Sequence, residues 1–535
     1  MSRFPRILPI GDTAITVELG DSIDPEVNAR VRALERAVAA DPPAGLLEMA
    51  PTYRSLFVAY DLRLTDRGAL GAQILDRIAT PVEAARPGDL RLIPTRYGGE
   101  EGPDLASVAE HAGTTEDDAV RLHSEREYTA YMVGFSAGFA YLGEVDERLA
   151  TRRRSTPRVR VPRGSVAIAG RQTGIYPAPT PGGWNLIGRT TARLFDPDRS
   201  PAGLILPGDR VRFQPVAECP EDPGWTPAPH SPARPAVEVL EGGLLTTVQD
   251  SGRVGHRRQG VVVSGPMDAP AHCAANALVG NAEDAATLEC TVAGPTLRFL
   301  APTTFAVAGG DMGAVLSRSD LGDWELRLGS RVFARPGNVL RFRGRRTGCR
   351  TYVAFEGGID VPRVLGSRST DLVAGFGGFG GRALRAGDVL GLRASLGGRP
   401  SEVPWLPAAP APTVTVRVVL GPQDDHFDRE SLERFLSSTY AATPLSDRLG
   451  CRLEGAPLAH GGRPEIVTDA MVFGSIEVPA DGQPIVMMAD APTTGGYPKI
   501  ATVVRADLPL LAQMVPGEGR VRFTTDPAHF PEVAL

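Results

Sequence analysis

The first candidate for chemistry in this 535-residue sequence is a lysine. Lysine occurs once, at Lys499, and all other members of the 57 basic residues are arginine. A lone lysine in such a background indicates a position that a broad, planar guanidinium cannot fill, whereas a compact ammonium fits and its pKa can be lowered by burial. Its segment, residues 495–500 (GGYPKI), is typical of a shaped turn. We predict a catalytic role for Lys499; the alternative is a surface lysine that persisted by chance.

Two aspartates are candidates to act beside that lysine. Asp250 lies in QDSGR and Asp268 in SGPMD, each within a short turn that contains glycine. Such a carboxylate orients a water or acts as a general base, but an Asx-turn aspartate has the same local sequence. Ser264 of the second motif is not the nucleophile elbow of a serine hydrolase, because that elbow needs glycine where Val262 stands. We predict catalytic roles for both aspartates and a substrate contact for Ser264.

Loops rich in polar groups predict where substrate binds. Residues 170–177 (GRQTGIYP) and 181–185 (PGGWN) carry amide, hydroxyl and aromatic groups, and loops beside a rigid scaffold often hold binding residues. Surface turns are the alternative. Residues 366–370 (GSRST) could hold an anion through backbone N–H groups. The predicted substrate contacts here are Gln172, Tyr176, Trp184 and Tyr497, and the predicted cofactor contacts are Arg368 and Ser369.

Composition excludes several classes of function. A net charge of −6 without a basic block argues against a nucleic-acid groove. The apolar stretches are too short to span a membrane, and the first residues lack an export signal, so we expect a cytoplasmic protein. Five widely spaced cysteines suggest neither a disulfide framework nor a zinc site. No phosphate-binding GxxxxGK[ST] motif occurs, so any ATP is expected to be bound mainly by another subunit.

The length and two proline-rich seams predict several domains. We expect a small α+β domain at 1–90, a β-barrel domain at 91–216, a linker at 217–235, the first part of a second half at 236–399, a linker at 400–412 and its second part at 413–535. Apolar spacing predicts a helix over 25–40, begun by Asp24, and a second over 69–78, with strands over 14–19 and 55–60. Beyond residue 130 short β-type runs dominate.

An internal repeat relates the two halves. Residues 161–213 contain VP, GGW followed by Ile187, LPG and RVRF, and residues 478–523 contain VP, GGY followed by Ile500, VPG and RVRF in the same order. Repeats of this kind indicate a duplicated domain. We therefore expect two related β-rich domains, with a site in the cleft between them.

Long motifs place the chain in a known family by resemblance. GFSAGFAYLGEV, RVPRGSVAIAGRQTGIYP and PGGWNLIGRT resemble the first subunit of a bacterial 5-oxoprolinase, of the family also called allophanate hydrolase subunits 1 and 2. GLLTTVQDSGRVGHRRQGVVVSGPMD, TYVAFEGGIDVPRVLGSRST, SDRLGCRLEG and TTGGYPKIATVVRADLPLLAQ resemble the second subunit. The resemblance implies a mostly β, α+β fold with a cyclophilin-like β-barrel in each half and a small N-terminal α+β domain.

The resemblance implies a hydrolase that opens 5-oxoproline to glutamate with ATP, together with a separate third subunit. Lys499 would then stabilise negative charge on oxygen, Asp268 or Asp250 would position water, and Arg253 and Arg189 would hold the substrate carboxylate. One alternative is a carboxyltransferase acting on urea or another small amide, with biotin delivered by another protein, because this chain has no biotin-lysine segment. Another is a regulatory protein that binds a histidine kinase. The sequence leaves open whether the chain also forms homo-oligomers.

Overall fold

A computed structural model describes residues 4–79, 88–219, 225–227, 231–395, 397–400 and 413–525. Most of the predicted linker at 400–412 and part of that at 217–235 therefore lie outside the described residues. None of the helices within these ranges is both long and apolar enough to cross a membrane. The expected fold, mostly β with a barrel in each half and a small N-terminal α+β unit, is confirmed.

The N-terminal unit is a four-stranded antiparallel sheet in the order β1-β2-β4-β3 with two helices. Helix α1 covers the predicted range, and the Asp24 carboxylate accepts the N–H groups of Glu26 and Val27 as its N-cap. The sequence prediction missed β1 and β3. The elements are β1 Arg6–Ile10, β2 Ala14–Glu18, α1 Pro25–Ala40, β3 Leu46–Pro51, β4 Ser55–Tyr60 and α2 Arg67–Ala79.

A closed seven-stranded barrel follows, flanked by two helices and a two-stranded ribbon, β8 with β11. Its order around the barrel is β5-β12-β9-β10-β7-β6-β13, and β13 closes against β5 in parallel. The elements are β5 Leu90–Tyr97, α3 Leu105–His111, α4 Glu116–Ser124, β6 Tyr128–Val133, β7 Ala140–Gly143, β8 Arg158–Val161, β9 Ser165–Ala169, β10 Gln172–Ile175, β11 Thr180–Gly182, β12 Asn185–Arg189 and β13 Arg210–Pro215.

The next unit packs two sheets face to face around one apolar core. One has the order β20-β19-β22-β17-β14-β25-β24 and the other β15-β16-β23-β18-β21. The elements are β14 Pro235–Glu241, β15 Leu245–Gln249, α5 Ala269–Leu278, β16 Thr287–Thr291, β17 Thr296–Phe299, β18 Thr303–Gly309, β19 Ala314–Arg318, β20 Gly322–Glu325, β21 Arg331–Ala334, β22 Val339–Phe342, β23 Arg350–Phe355, β24 Ile359–Asp360 and β25 Val389–Leu392.

The last unit is a second closed seven-stranded barrel with its own ribbon, β29 with β32. Its order is β26-β33-β30-β31-β28-β27-β34, and β34 closes against β26 in parallel. The elements are β26 Val414–Leu420, α6 Arg429–Ser437, β27 Thr439–Ala442, β28 Gly450–Glu454, β29 Asp469–Ala470, β30 Ser475–Glu477, β31 Ile485–Met487, β32 Thr494–Gly495, β33 Lys499–Val503, α7 Leu508–Ala512 and β34 Arg520–Thr524.

The two barrels are copies of one topology. Taken in chain order, each strand of the first barrel has a counterpart in the second with the same neighbours, and the single parallel pair joins the first and last strands in both. Each also has the same extra ribbon. The duplication expected from the repeated motifs is thus present in the strand order.

A buried ion pair joins the second barrel to the two-sheet unit. Arg448 donates to Asp490 at 2.7 and 3.0 Å and also to Glu289, and all three side chains are almost fully buried. Its remaining donor contacts the Gly265 carbonyl at 2.9 Å. Removing one partner of such a network leaves the others charged and unpaired in the protein interior.

Replacing Arg448 should therefore destabilise the protein strongly. We expect Arg448→Leu to lower the free energy of unfolding by about 3–5 kcal/mol, because buried Asp490 loses its ion-pair partner and, among the described residues, Glu289 keeps only Arg350, at 3.9 Å. Urea denaturation followed by circular dichroism measures this. Arg429→Leu is the matched control, since Arg429 is 92% exposed beside Glu433, and it should change stability by less than about 0.5 kcal/mol. Equal effects of the two variants would contradict the structural role given to Arg448.

Candidate active site

Lys499 lies at the start of β33 and is fully buried. Its backbone is fixed by Gln423, which accepts from the Lys499 N–H at 3.2 Å and donates to its carbonyl at 3.1 Å. The following residues, Ile500 and Ala501, belong to the barrel core. The Lys499 side chain interacts electrostatically with Glu18 and Arg54 of the N-terminal unit, so it lies on the outer surface of the barrel and is buried there by another unit.

Glu477 is the cross-strand partner of Lys499. Its neighbours Ile476 and Val478 belong to the barrel core, and because strand side chains alternate, Glu477 lies on the outer face with Lys499. The Glu477 carboxyl rests against the backbone of Gly495, where even a Cβ atom would lie only 1.9 Å from Oε1. Glycine is therefore the residue type that leaves room for this carboxyl.

The N-terminal unit supplies a second set of charges around the lysine. The Ser55 hydroxyl donates to Asp469 of β29 at 2.7 Å, which joins this unit to the second barrel. Glu18 pairs with Arg54 at 3.0 Å and with Arg6 at 2.9 Å. Glu18, Arg54 and Asp469 all act electrostatically on Lys499. Lys499 is thus surrounded by charged side chains of both signs.

The first barrel forms the opposite, apolar wall. Its aromatic cluster packs against Val467 of the second barrel, and the Phe135 N–H donates to the Thr494 hydroxyl at 2.8 Å. Tyr141 is close enough to Glu477 for the two to interact electrostatically. The predicted contacts Tyr176 and Trp184 belong to this wall. Its buried aromatic members are Tyr131, Phe139, Tyr141, Tyr176 and Trp184 of the first barrel, together with Tyr53 of the N-terminal unit.

Several buried polar atoms in this cleft have no hydrogen-bond partner among the residues that the structure describes. They include Lys499 Nζ, Glu477 Oε1 and Tyr53 Oη. Buried polar groups in native proteins are almost always paired, with protein, water or ligand. Among the described residues, Lys499 Nζ and Glu477 Oε1 are therefore an unpaired donor and an unpaired acceptor at the place where the units meet.

Burial also shifts the acid–base properties of this pair. Desolvation lowers the pKa of Lys499, against the opposing effect of the Glu477 and Asp469 carboxylates. Desolvation raises the pKa of Glu477 to about 7, although Lys499 and a backbone hydrogen bond from Tyr497 act in the other direction. Glu477 can therefore exchange a proton near neutral pH, which suits acid–base work, while burial makes the Lys499 ammonium easier to deprotonate than an exposed lysine.

The first barrel shows what its fold requires at these two positions. Leu186 pairs with Ala167 there, just as Lys499 pairs with Glu477, and both pairs lie beside a one-residue irregularity in the register. GGWNLI and GGYPKI align Leu186 with Lys499 in the sequence as well. The same barrel therefore forms with an apolar pair, and the charged pair is an addition that the fold does not need.

A second buried cluster gathers several other predicted residues in the two-sheet unit. Arg253 is 1% exposed, its guanidinium lies 4.8 Å from the Phe376 ring centre, and its Nη2 donates to the Ser369 carbonyl. Within the described ranges, Arg253 Nη1 and the Ser264 hydroxyl have no partner. Desolvation raises the pKa of the neighbouring Asp371 to about 6.

Asp250 occupies the anion cradle predicted at residues 366–370. Its carboxylate accepts the Arg368 N–H at 2.6 Å and the hydroxyls of Ser367 and Ser369 at 2.5 and 2.7 Å. These donors therefore hold a carboxylate of the chain itself. A catalytic role for Asp250 and cofactor contacts by Arg368 and Ser369 remain predictions.

Other predicted residues lie apart from both clusters. Asp268 caps α5 through Ala271 at 3.0 Å and accepts from Gln513 at 2.7 Å, which are structural contacts, so its catalytic role also remains a prediction. Arg189 pairs with Glu101 at 3.2 Å on the first barrel. Gln172 begins β10, and Tyr497 is partly exposed.

Sequence reasoning missed four charged residues of the cleft. Glu18 and Arg54 come from a distant unit, so no local pattern marks them. Asp469 lies outside the two repeated segments, 161–213 and 478–523, so no repeated motif marks it. Glu477 had no usable signal, because the repeated VP motif aligns it with Arg160 in the sequence, and only the strand pairing matches it to Ala167.

Comparison with known proteins covers both halves. The carboxyltransferase domain, subdomain C and D, matches residues 5–205, and subdomain A and B matches residues 259–525. The C-type 5-oxoprolinase subunit of Escherichia coli (strain K12) is 37% identical over 304 residues, which is 56% of this chain and 92% of that protein. The B-type 5-oxoprolinase subunit of Bacillus subtilis (strain 168) is 37% identical over 229 residues, 40% of this chain and 93% of that protein.

A solved structure matches almost the whole chain. The crystal structure of TTHA0988 superposes with a TM-score of 0.85 and 38% identity, covering 96% of this chain and 100% of that one. Duplicated barrels with a charged pair between them define a protein whose candidate site lies at the junction of two related halves. The chain belongs to the carboxyltransferase-domain family that includes the B-type and C-type 5-oxoprolinase subunits, whose counterparts it joins in one polypeptide.

The raised pKa of Glu477 predicts a pH-dependent stability. The ordinary pKa of a glutamate is 4.5, and that of Glu477 in the folded protein is about 7. At pH values between these two, the folded protein keeps a proton on Glu477 that the unfolded chain releases. Rising pH therefore lowers the free energy of unfolding across that range. Glu477→Gln removes this effect. Relative to wild type, we expect the variant to gain about 3 kcal/mol between pH 4.5 and pH 7.5.

Urea denaturation at the two pH values measures the difference. Glu433→Gln on α6 is the control, because Glu433 is 64% exposed and its substitution should leave the pH dependence unchanged. A Glu477→Gln profile parallel to that of wild type would show that this carboxyl titrates normally.

Proposed function

We propose that this chain is the fused component of an ATP-dependent 5-oxoprolinase, which opens 5-oxoproline to L-glutamate together with a separate third subunit. The similarity to the B-type and C-type 5-oxoprolinase subunits supports this substrate. The observation that carries the proposal is the enclosed Lys499–Glu477 pair, whose counterpart in the first barrel is Leu186 and Ala167. The enzyme is therefore a hydrolase acting on a cyclic amide.

Lactam opening is slow because the amide carbonyl is a weak electrophile. Lys499 stabilises negative charge that develops on the carbonyl oxygen, as an oxyanion site does. Water then forms a bond to the carbonyl carbon, the ring C–N bond breaks, and the released nitrogen takes a proton, giving glutamate. ATP, bound mainly by the third subunit, activates the carbonyl by transferring its terminal phosphoryl group to the carbonyl oxygen and releasing ADP, and a second water removes that group as inorganic phosphate after the ring opens. The aromatic wall keeps bulk water away and so strengthens these interactions.

The predicted contact of Arg253 with the substrate carboxylate remains a prediction, because Arg253 lies in the second buried cluster and not beside the Lys499–Glu477 pair. Its buried guanidinium has one nitrogen with no described partner, and the Ser264 hydroxyl nearby in the chain is likewise unpaired among described residues. A buried arginine with a free donor favours a carboxylate ligand. Arg189, predicted for the same role, is paired with Glu101 and donates to the Arg163 carbonyl, so it is the weaker candidate.

A second candidate is carboxyl transfer, which the description of the matched family favours. A small amide such as urea would be the acceptor, and Lys499 would stabilise the deprotonated oxygen of a biotin ureido group. Biotin would be carried by another protein, because the one lysine of this chain is buried in β33 and is not available for attachment.

Substitution of the lysine tests the first function. With the third subunit present, we expect 5-oxoproline-dependent ADP and glutamate formation by the wild-type chain. Lys499→Arg and Lys499→Leu should reduce kcat at least about 1,000-fold, because a guanidinium does not fit and leucine cannot stabilise an oxyanion.

Arg429→Leu, a change on the exposed face of α6, should leave the rate unchanged. Circular dichroism should show the same fold in all variants, since the first barrel already accepts leucine at the equivalent position. Full activity of Lys499→Leu would contradict the catalytic role. Carboxyl transfer from a carboxybiotin carrier, without glutamate formation, would instead support the second candidate.

A further inference from the structure

The chemistry of a ring amide matches the two unpaired groups of the cleft. Open-chain amides are almost always trans, so their N–H and C=O point in opposite directions. A small lactam or cyclic urea is forced into the cis form, and its N–H and C=O therefore lie along one edge. A single donor beside a single acceptor on one protein surface can bind both at once.

Lys499 and Glu477 provide such a surface. They are paired residues of neighbouring strands and lie on the same face of the barrel. Lys499 Nζ and Glu477 Oε1 are buried and, in the part of the chain that the structure describes, neither has a hydrogen-bond partner, so neither bonds the other. A backbone hydrogen bond from Tyr497 holds the Glu477 carboxyl in place.

We propose that this pair recognises the cis-amide edge of a ring: Lys499 donates to the carbonyl oxygen, and Glu477 Oε1 accepts from the ring N–H. The inference rests on the proposed function and deepens it, because it defines the substrate class as ring cis-amides and assigns Glu477 a binding role. The flat ring lies against the aromatic wall formed by Tyr141 and its neighbours.

The pair also predicts which related molecules the site rejects. A lactone presents an oxygen lone pair where the lactam has its N–H, and an N-methyl lactam presents a methyl group. Either ligand leaves the Glu477 acceptor buried and unpaired, and sites built to bond a donor discriminate strongly against analogues that lack it. The first barrel has Ala167 and Leu186 at these positions and offers neither contact.

Binding to the full chain, measured by calorimetry without nucleotide, tests the inference. The probes are 5-oxoproline, N-methyl-5-oxoproline and the matching five-membered lactone carboxylate. We expect wild type to bind the lactam at least about 30-fold more tightly than either analogue. Equal affinities for the three probes would overturn the inference.

Variants separate this role from a general loss of structure. In Glu477→Ala the preference for lactam over lactone should fall below about threefold, since no acceptor remains to be left unpaired. Glu477→Ala combined with Lys499→Leu copies the pair of the first barrel, so it should fold normally and bind none of the probes. A preference that survives in Glu477→Ala would also overturn the inference.

A further pair of probes distinguishes this inference from the proposed function. If 5-oxoproline fails to bind but ethyleneurea binds at least about tenfold more tightly than its N,N′-dimethyl derivative, the recognition of a cis-amide edge stands and the 5-oxoproline assignment fails. If 5-oxoproline binds without discrimination against its N-methyl derivative, the assignment stands and the role of Glu477 fails. If no ring amide binds, both fail.

Discussion

The burial of one ammonium group where three units meet is the constraint on which the candidate site depends. A charge removed from water is costly unless opposite charges surround it. Here those charges come from two units, Glu477 and Asp469 in the second barrel and Glu18 in the N-terminal unit. The aromatic face of the first barrel then closes the space. All three units must be assembled before Lys499 has its environment, so the site depends on the joined halves.

Duplication provides the means to build such a site. Two copies of a barrel present the same outer face, and facing copies can diverge without disturbing either core. The first copy is aromatic, with Trp184, Leu186 and Ala167 in one apolar cluster. The second carries Lys499 and Glu477 at the matching strand positions. The aromatic face of the first barrel can pack against the apolar face of a ring, and Lys499 and Glu477 of the second barrel can bond its polar edge. This arrangement suits small cyclic substrates.

The sequence predicted the parts of this architecture that follow from local patterns. Helix α1 and its Asp24 cap follow from apolar spacing and a capping residue, and the duplicated barrels follow from repeated motifs. Lys499 was identified from composition, because it is the one lysine in the sequence. Glu18 and Arg54 could not be found in this way, because they are brought to the lysine by packing between units far apart in the chain. Asp250 shows the reverse case, since its turn looks catalytic but its carboxylate is satisfied by Ser367 and Ser369.

Because the chain contains one lysine, that residue can be observed alone. Protein grown with ¹³C-labelled lysine gives one side-chain Cε signal, and following it against pH by NMR measures the ionisation of Lys499 directly. The structure predicts a pKa below the ordinary value of 10.5 and a shift of the signal when 5-oxoproline is added. A Lys499 signal that titrates at the ordinary pKa and does not shift when 5-oxoproline is added would contradict the enclosed, substrate-facing amine on which this account of the site depends.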